Sequence, residues 1–364
     1  MAAMNIHGTP TRAIAPLLDS AERAVSILDQ TALPHRTTFL TLRTLNETAH
    51  AIRSMQVRGA PLIGATAAFG VALALAEGVA LAEACAVLAA TRPTAVNLAW
   101  ALARMQATLA DIGPAMQAEA AWLEACRIAD EDATQNRQIG EHGQALLRGL
   151  PGLSSQRPLR IMTHCNAGWL ATVDYGTALS PVYVAHDSGL PVEVWVSETR
   201  PRNQGLLTAW ELANHGVPHT VIADNAAGLL LMQGQVDAVI VGADRIAANG
   251  DVANKVGTYL KALAAQAAGV PFYVAAPQST IDFGCANGAA IPIEEREGDE
   301  LRLCPGLDQD GETAAVRQLA AGSRVCNPAF DVTPAALVTA IITERGVCPA
   351  SAEGLRGLYP EVGA

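Results

Sequence analysis

Charge is scarce in this chain: Asp, Glu, Lys and Arg make up 16% of its 364 residues, and the net charge is −11. No run of Lys and Arg is present, so the clustered cations that a phosphate backbone requires are missing and a nucleic-acid partner is not expected. Cysteine is present without pattern. The seven residues (Cys85, Cys126, Cys165, Cys285, Cys304, Cys326, Cys348) are odd in number, scattered and never in C-x-x-C spacing. That excludes a disulfide framework or structural zinc site as an expectation and favours a reducing compartment. No acidic or histidine cluster has metal spacing, and the G-x-G-x-x-G fingerprint is missing, so no metal and no cofactor are expected. Long hydrophobic runs are also absent. The longest apolar stretch, Ala65 to Ala76, is short and glycine-broken, and MAAMNIHGTPTRAIAP has no apolar segment behind basic residues. A cytoplasmic protein with no membrane partner is the expectation.

What is abundant is small and apolar. Half the residues are hydrophobic and 31 are glycine, a composition of compact metabolic enzymes, and the length suggests two domains or one large one. Ala24 to Leu28 and Thr37 to Leu42 read as short strands, and Thr44 to Met55 has helical spacing. The corner Arg58-Gly59-Ala60-Pro61 opens a long alanine-rich helix. Pro61 suits the first turn, so Gly59 and Ala60 offer free backbone N–H groups at a helix N-terminus, and Arg58 adds a cationic fork. An anion would be welcome there; an ordinary turn is the alternative. A helix over Ala80 to Ala90 leads to Arg92 on a proline turn, helices follow from Asn97 and Pro114, and the pattern from Ala115 to Leu150 reads as a connecting helix. Pro151 to Ser155 breaks it.

Beyond Leu159 short strands alternate with helical stretches, the signature of a parallel sheet. Strands are expected at Arg160–Thr163, Val192–Ser197, His219–Ala223, Ala238–Val241 and Pro271–Ala275. The overall expectation is α/β: a Rossmann-like C-terminal domain with a mostly parallel sheet (156–364), a smaller, mainly helical N-terminal domain with short strands (1–128), and a connecting helix and linker (129–155). Strand ends in such a sheet share one edge, so Cys165, Glu198, Asp224 and Asp244 should converge. Ala238 to Asp282 reads as a βαβ unit, with Asn254 and Lys255 at or near the start of its helix. Gly284 to Gly311 reads as a loop excursion, and Thr333-Pro334 as the cap and first turn of a last helix.

Each chemical candidate has a plain alternative. Cys165 closes a strand before Asn166-Ala167-Gly168, where a helix N-terminus would favour thiolate, or it is a small buried hydrophobe. Asp244 faces the crevice, or caps a helix, or pairs with Arg245. Lys255 is a phosphate ligand or a surface charge, and Arg200 to Gly205 a binding segment or a solvated loop. His164 should point to the opposite side of the sheet from Cys165.

Together the stretches VRGAPLIGATAAFG at Val57, THCNAGWLAT at Thr163, SETRPRNQG at Ser197, TAWEL at Thr208, VGADRIAANGDVANKVGTY at Val241, PFYVAAPQSTID at Pro271 and NPAFDVTPAALVTAIITERG at Asn327 resemble the methylthioribose-1-phosphate isomerases of methionine salvage. That family shares a superfamily with exchange-factor regulatory subunits for translation initiation factor two and with ribose-1,5-bisphosphate isomerases. The resemblance implies aldose–ketose isomerisation of 5-methylthioribose 1-phosphate, with Asp244 as proton donor and Cys165 as its partner. It implies substrate contacts from Arg58, Gly59, Ala60, Arg92, Gln204, Asn254 and Lys255, and a homodimer without a cofactor. Leu62 and Leu206-Leu207 depart from the family pattern and bear on substrate breadth. Other 5-modified ribose 1-phosphates, ribose 1,5-bisphosphate and a non-catalytic regulatory role are the competing expectations.

Overall fold

Thr44 starts the first helix with a reciprocal cap: its hydroxyl accepts from Glu47 N, and the Glu47 carboxylate accepts from Thr44 N, so helix α1 runs Leu45–Arg53. The computed structural model describes residues 4–17, 23–150 and 157–363. The next helix, α2 (Ala60–Ala76), is apolar on every side and buried from Leu62 to Ala74, as an all-round hydrophobic helix must be. Around it pack α1, α3 (Leu81–Ala89), α4 (Val96–Leu109) and the 35-residue α5 (Pro114–Arg148). A small antiparallel sheet of Ile14–Pro16, Val25–Leu28 and Phe39–Leu42 completes this part. The break expected at Pro151–Ser155 lies outside the described residues.

The second half forms a seven-stranded sheet in the order Gly346–Cys348, Ala340–Thr343, Phe272–Ala275, Ala238–Val241, Leu159–Thr163, Val192–Ser197, His219–Ile222. All pairings are parallel except the edge strand Gly346–Cys348. Numbered along the chain from Leu159, the spatial order is 3-2-1-4-5-6-7. The direction of winding therefore reverses between Leu159–Thr163 and Ala238–Val241, which is where such sheets open a ligand crevice. Side chains alternate between two cores. Ile161, Ala238 and Ile240 join one apolar cluster with the helices α1 to α5, while Met162, Val239 and Val241 join another with α8 (Ala226–Met232) and α9 (Thr258–Ala268). On the first face α5 lies against α6 (Ser180–Asp187), and only glycine allows it. A Cβ on Gly143 would stand 2.4 Å from Pro181 Cγ.

Several expectations need correction. Asn254 and Lys255 do not begin a helix: they end the strand Val252–Lys255, which pairs antiparallel with Arg245–Ala247 across the Asn249-Gly250 turn, and α9 starts at Thr258. Phe330–Thr333 is likewise a strand, pairing with Val252–Lys255, and Pro334 leads only into a short 3-10 turn. The last α-helix is Ala352–Leu358. The excursion from Gly284 carries a hairpin of Leu303–Leu307 with Thr313–Arg317. Each of these strands is only three to five residues long, too short for periodicity to separate strand from helix start.

Candidate active site

Cys165 and Asp244 follow the two strands that flank the reversal point, and both line one cavity of about 500 Å³. The same cavity is lined by Arg58, Gly59, Ala60, Arg92, Gln204, Asn254 and Lys255. All nine residues that the resemblance implied as catalytic or substrate-binding thus line one cavity. Residues from the helical half (Arg58 to Ala60, Arg92), the sheet's edge and the hairpin at Pro305 and Thr313 form its walls. His164 lies elsewhere, its Nε2 against Val256 O at 2.9 Å, as strand alternation requires.

The anion corner is built by backbone constraint. Gly59 caps α2 at φ +100, and a Cβ there would lie 2.4 Å from Ala171 Cα, so no other residue can bring the first turn this close to the loop after Cys165. Pro61 falls in the first turn. Arg58 turns its guanidinium to Asn166, donating from Nη1 to Oδ1 and from Nη2 to the backbone carbonyl at 2.8 Å.

Cys165 has φ +68, a left-handed conformation that costs a β-carbon residue about 1–3 kcal/mol and persists only when neighbours enforce it. Two threonines do so. Thr199 Oγ1 accepts from Cys165 N at 2.8 Å, and Thr208 Oγ1 donates to Cys165 O at 2.8 Å. No α-helix follows directly: after a three-residue 3-10 turn at Trp169–Ala171 the next is α6 from Ser180, which removes the expected thiolate-stabilising N-terminus. Burial instead pushes the Cys165 thiol up, against the pull of Arg58 and Lys255. Burial also pushes the Asp244 carboxyl up, opposed by Lys255, Arg58 and Arg92, and depresses Lys255 while Cys165 and Asp244 raise it. Lys255 and Asp244 each shift the other two members of this trio, and Cys165 raises Lys255.

The plain alternatives for these residues fall away. Arg245 pairs with Asp282 at 3.4 Å and donates to Thr94 O, leaving Asp244 to the cavity, and a strand, not a helix, follows Asp244. The Lys255 ammonium sits 4.4 Å from the Phe330 ring centroid rather than in solvent. Gln204 opens α7 (Gln204–His215), and its Oε1, like Asn203 Oδ1, is a buried acceptor with no protein donor. A hydroxyl-rich ligand would satisfy both.

Glu198 and Asp224 stand at the same sheet edge but do not line the cavity. Asp224 accepts from Thr199 N and Arg200 N, both at 2.8 Å, and so shapes the turn that delivers Gln204. Sequence reasoning missed Arg296, which lines the cavity while paired with Glu294 at 2.8 Å and Glu300 at 2.9 Å, and Asn166, Thr208 and Glu211, which hold other site residues. A signal for the last two existed: Gln204, Thr208 and Glu211 recur at helical spacing on one face of α7. Among the described residues no group of three or more His, Cys, Asp or Glu could hold a metal ion.

Known proteins are similar to this chain in sequence and fold. The initiation factor 2 subunit family matches residues 56–350. A methylthioribose-1-phosphate isomerase of Dechloromonas aromatica (strain RCB) is 67% identical, with 98% of this chain and 99% of that one aligned. Among solved structures, the 5-methylthioribose 1-phosphate isomerase from Pyrococcus horikoshii OT3 superposes with a TM-score of 0.83 at 40% identity, covering 96% of each chain. A protein described as translation initiation factor eIF-2B, subunit delta, from A. fulgidus gives 0.79 at 39% identity, covering 96% of this chain and 99% of that one. With two catalytic candidates at the sheet's reversal point and near-complete alignment on both sides of it, the chain belongs to the initiation factor 2 subunit family and, within it, to the methylthioribose-1-phosphate isomerases.

Proposed function

We propose that the cavity isomerises 5-methylthio-α-D-ribose 1-phosphate to 5-methylthio-D-ribulose 1-phosphate in methionine salvage. The observation that carries the reading is one cavity lined by a thiol and a carboxyl, both pushed up by burial, together with the Arg58-Gly59-Ala60 corner. A phosphate on C1 locks the sugar as a cyclic acetal, so no free aldehyde acidifies C2. Ring opening must come first. Asp244, kept protonated by desolvation, gives its proton to the ring oxygen, and the bond from C1 to that oxygen breaks. Hydrogen then moves from C2 to C1, the C2 hydroxyl becomes the ketone, and the proton it releases restores the acid. Cys165, held as a neutral thiol beside Asp244, is its partner during the hydrogen transfer. Arg58, Arg92, Lys255 and the α2 amides at Gly59 and Ala60 bind the phosphate, while Gln204 and Asn254 take sugar hydroxyls.

Turnover of the sugar phosphate tests this directly. Asp244→Asn should fold normally and lose about 10²–10⁴-fold in kcat, the usual worth of a positioned acid. A near-normal rate would remove Asp244 from the chemistry. Because the acid form is the active one, wild-type kcat should fall as pH rises through the raised Asp244 pKa. Leu206 and Leu207 line the cavity, so comparing kcat/KM for 5-deoxyribose 1-phosphate and ribose 1,5-bisphosphate measures how far substrate breadth extends. The A. fulgidus relative, named as a translation factor, favours a second reading as a regulatory subunit. A wild-type protein without turnover on any of these sugars would support that reading.

The working unit in this proposal is a cytoplasmic homodimer. Seven unpaired cysteines support a reducing compartment, and among the described residues no helix is long and apolar enough to cross a membrane. An apolar face on the sheet's far side supports the dimer. Leu229 and Met232 on α8 and Tyr259, Leu260 and Leu263 on α9 are all exposed, Met232 by 74% and Leu260 by 63%.

A further inference from the structure

We infer that Glu211, which does not touch the cavity, is a positioning residue for phosphate recognition: it fixes Asn166, and Asn166 fixes Arg58. The inference rests on the functional reading above. Glu211 lies on α7, fully buried, and four donors converge on its carboxylate. Oε1 accepts from Leu170 N at 2.9 Å and Asn166 Nδ2 at 2.8 Å, and Oε2 accepts from Trp169 N at 3.0 Å and Tyr183 Oη at 2.9 Å. Since Asn166 Nδ2 is spent on Glu211 and on Thr208 Oγ1 at 3.2 Å, its Oδ1 is left facing outward, where it receives Arg58 Nη1. The amide's orientation is therefore set from behind.

Only an acceptor at Glu211 gives this result. An amide at that place presents an N–H₂ to one pair of donors. If that pair includes Asn166, the asparagine must flip and turn its own N–H₂ toward the Arg58 guanidinium, which has no acceptor to offer. If it is the other pair, Trp169 N loses its partner in a buried site, where an unsatisfied donor is costly. Packing leaves no slack for rearrangement, because a Cβ on Gly168 would stand 1.7 Å from Glu211 Oε2. The face of α7 is a single device. Gln204 lines the cavity, Thr208 one turn on holds the Cys165 carbonyl, and Glu211 a further turn on holds the loop from Asn166 to Leu170.

The test is a double-mutant cycle with KM and kcat read separately. Glu211→Gln should raise KM for the sugar phosphate and the inhibition constant of inorganic phosphate about tenfold while kcat stays within about threefold. Arg58→Lys removes the group through which Glu211 acts, so the double variant should bind phosphate no worse than Arg58→Lys alone. Glu124→Gln, which removes another buried carboxylate at the α4–α5 contact, should leave KM unchanged even where it lowers stability. A folded Glu211→Gln protein with wild-type KM, or losses that multiply in the double variant, would overturn the inference. Should Glu211→Gln not fold, Asn166→Ala cuts the same link and must give the same rise in KM; an unchanged KM sinks the idea. Absence of wild-type turnover would count against the functional reading instead, and the inorganic phosphate measurement on Glu211 would still decide this one.

Discussion

Asp132 and Glu211 are carboxyls carried into the interior, and each is pushed by burial to about 7. Asp132, on α5, accepts from Val173 N at 2.7 Å and so secures the segment that brings Thr172 and Thr177 to the cavity wall. A carboxyl whose folded-state pKa is raised binds its proton more tightly in the folded chain. Between its unfolded pKa near 4 and its folded pKa of about 7, stability therefore falls with rising pH, by up to about 1.4 kcal/mol per pH unit per group. Asp132→Asn keeps an oxygen for Val173 N and removes one such group. Urea unfolding between pH 5 and 8 should show a shallower loss of stability for this variant than for the wild type, and equal slopes would show that Asp132 does not titrate there. At this scale the sequence made Cys165, Asp244 and Arg58 legible, because strand ends and helix starts have signatures. Asn166 had none, and the helical spacing of Glu211 with Gln204 and Thr208 gave a face but not a role, since their importance lies in which atoms they hold.

Helix α2 shows what an element's first turn can encode. Its start combines Pro61, a glycine forced into φ +100 and an arginine, and all three follow from the order Arg-Gly-Ala-Pro. Gly59→Ala must strain the backbone and drive a methyl into Ala171, so we expect a loss of about 3 kcal/mol or more in urea unfolding and a weaker grip on inorganic phosphate. An unchanged midpoint would show that the loop at Ala171 can retreat. The misread elements teach the complementary lesson. Val252–Lys255 and Phe330–Thr333 are short strands that exist because they pair with each other, Lys255 opposite Phe330 and Asn254 opposite Asp331. Val252–Lys255 also closes a hairpin on Arg245–Ala247, but Phe330–Thr333 has no local partner, and the pairing of the two across some 75 positions is hidden by a helical pattern beginning nearby.

On the scale of the whole molecule, the helical part and one face of the sheet share a continuous apolar cluster. The division at 1–128, 129–155 and 156–364 is our proposal for its lobes, with the cavity closed by residues from both. The exposed face of α8 and α9 is the proposed dimer contact. Leu260→Glu together with Met232→Glu should halve the mass seen by sedimentation without lowering the melting temperature by more than a few degrees, because both side chains already face solvent in the single chain. A mass that does not change on substitution would place any dimer elsewhere.

The sequence by itself determined the class of fold, five strands of the parallel sheet, the anion-binding corner at Arg58 to Ala60 and the strand ends that carry Cys165 and Asp244. It could do so because apolar periodicity, turn residues and helix caps act over a few positions. Only the tertiary structure decided that Cys165 stays a buried thiol rather than a helix-stabilised thiolate, that Lys255 ends a strand, and that Glu211 stands behind Arg58. Desolvation, strand pairing and convergent hydrogen bonds join groups distant in the chain, and their strength is set by what surrounds a side chain once every element is in place.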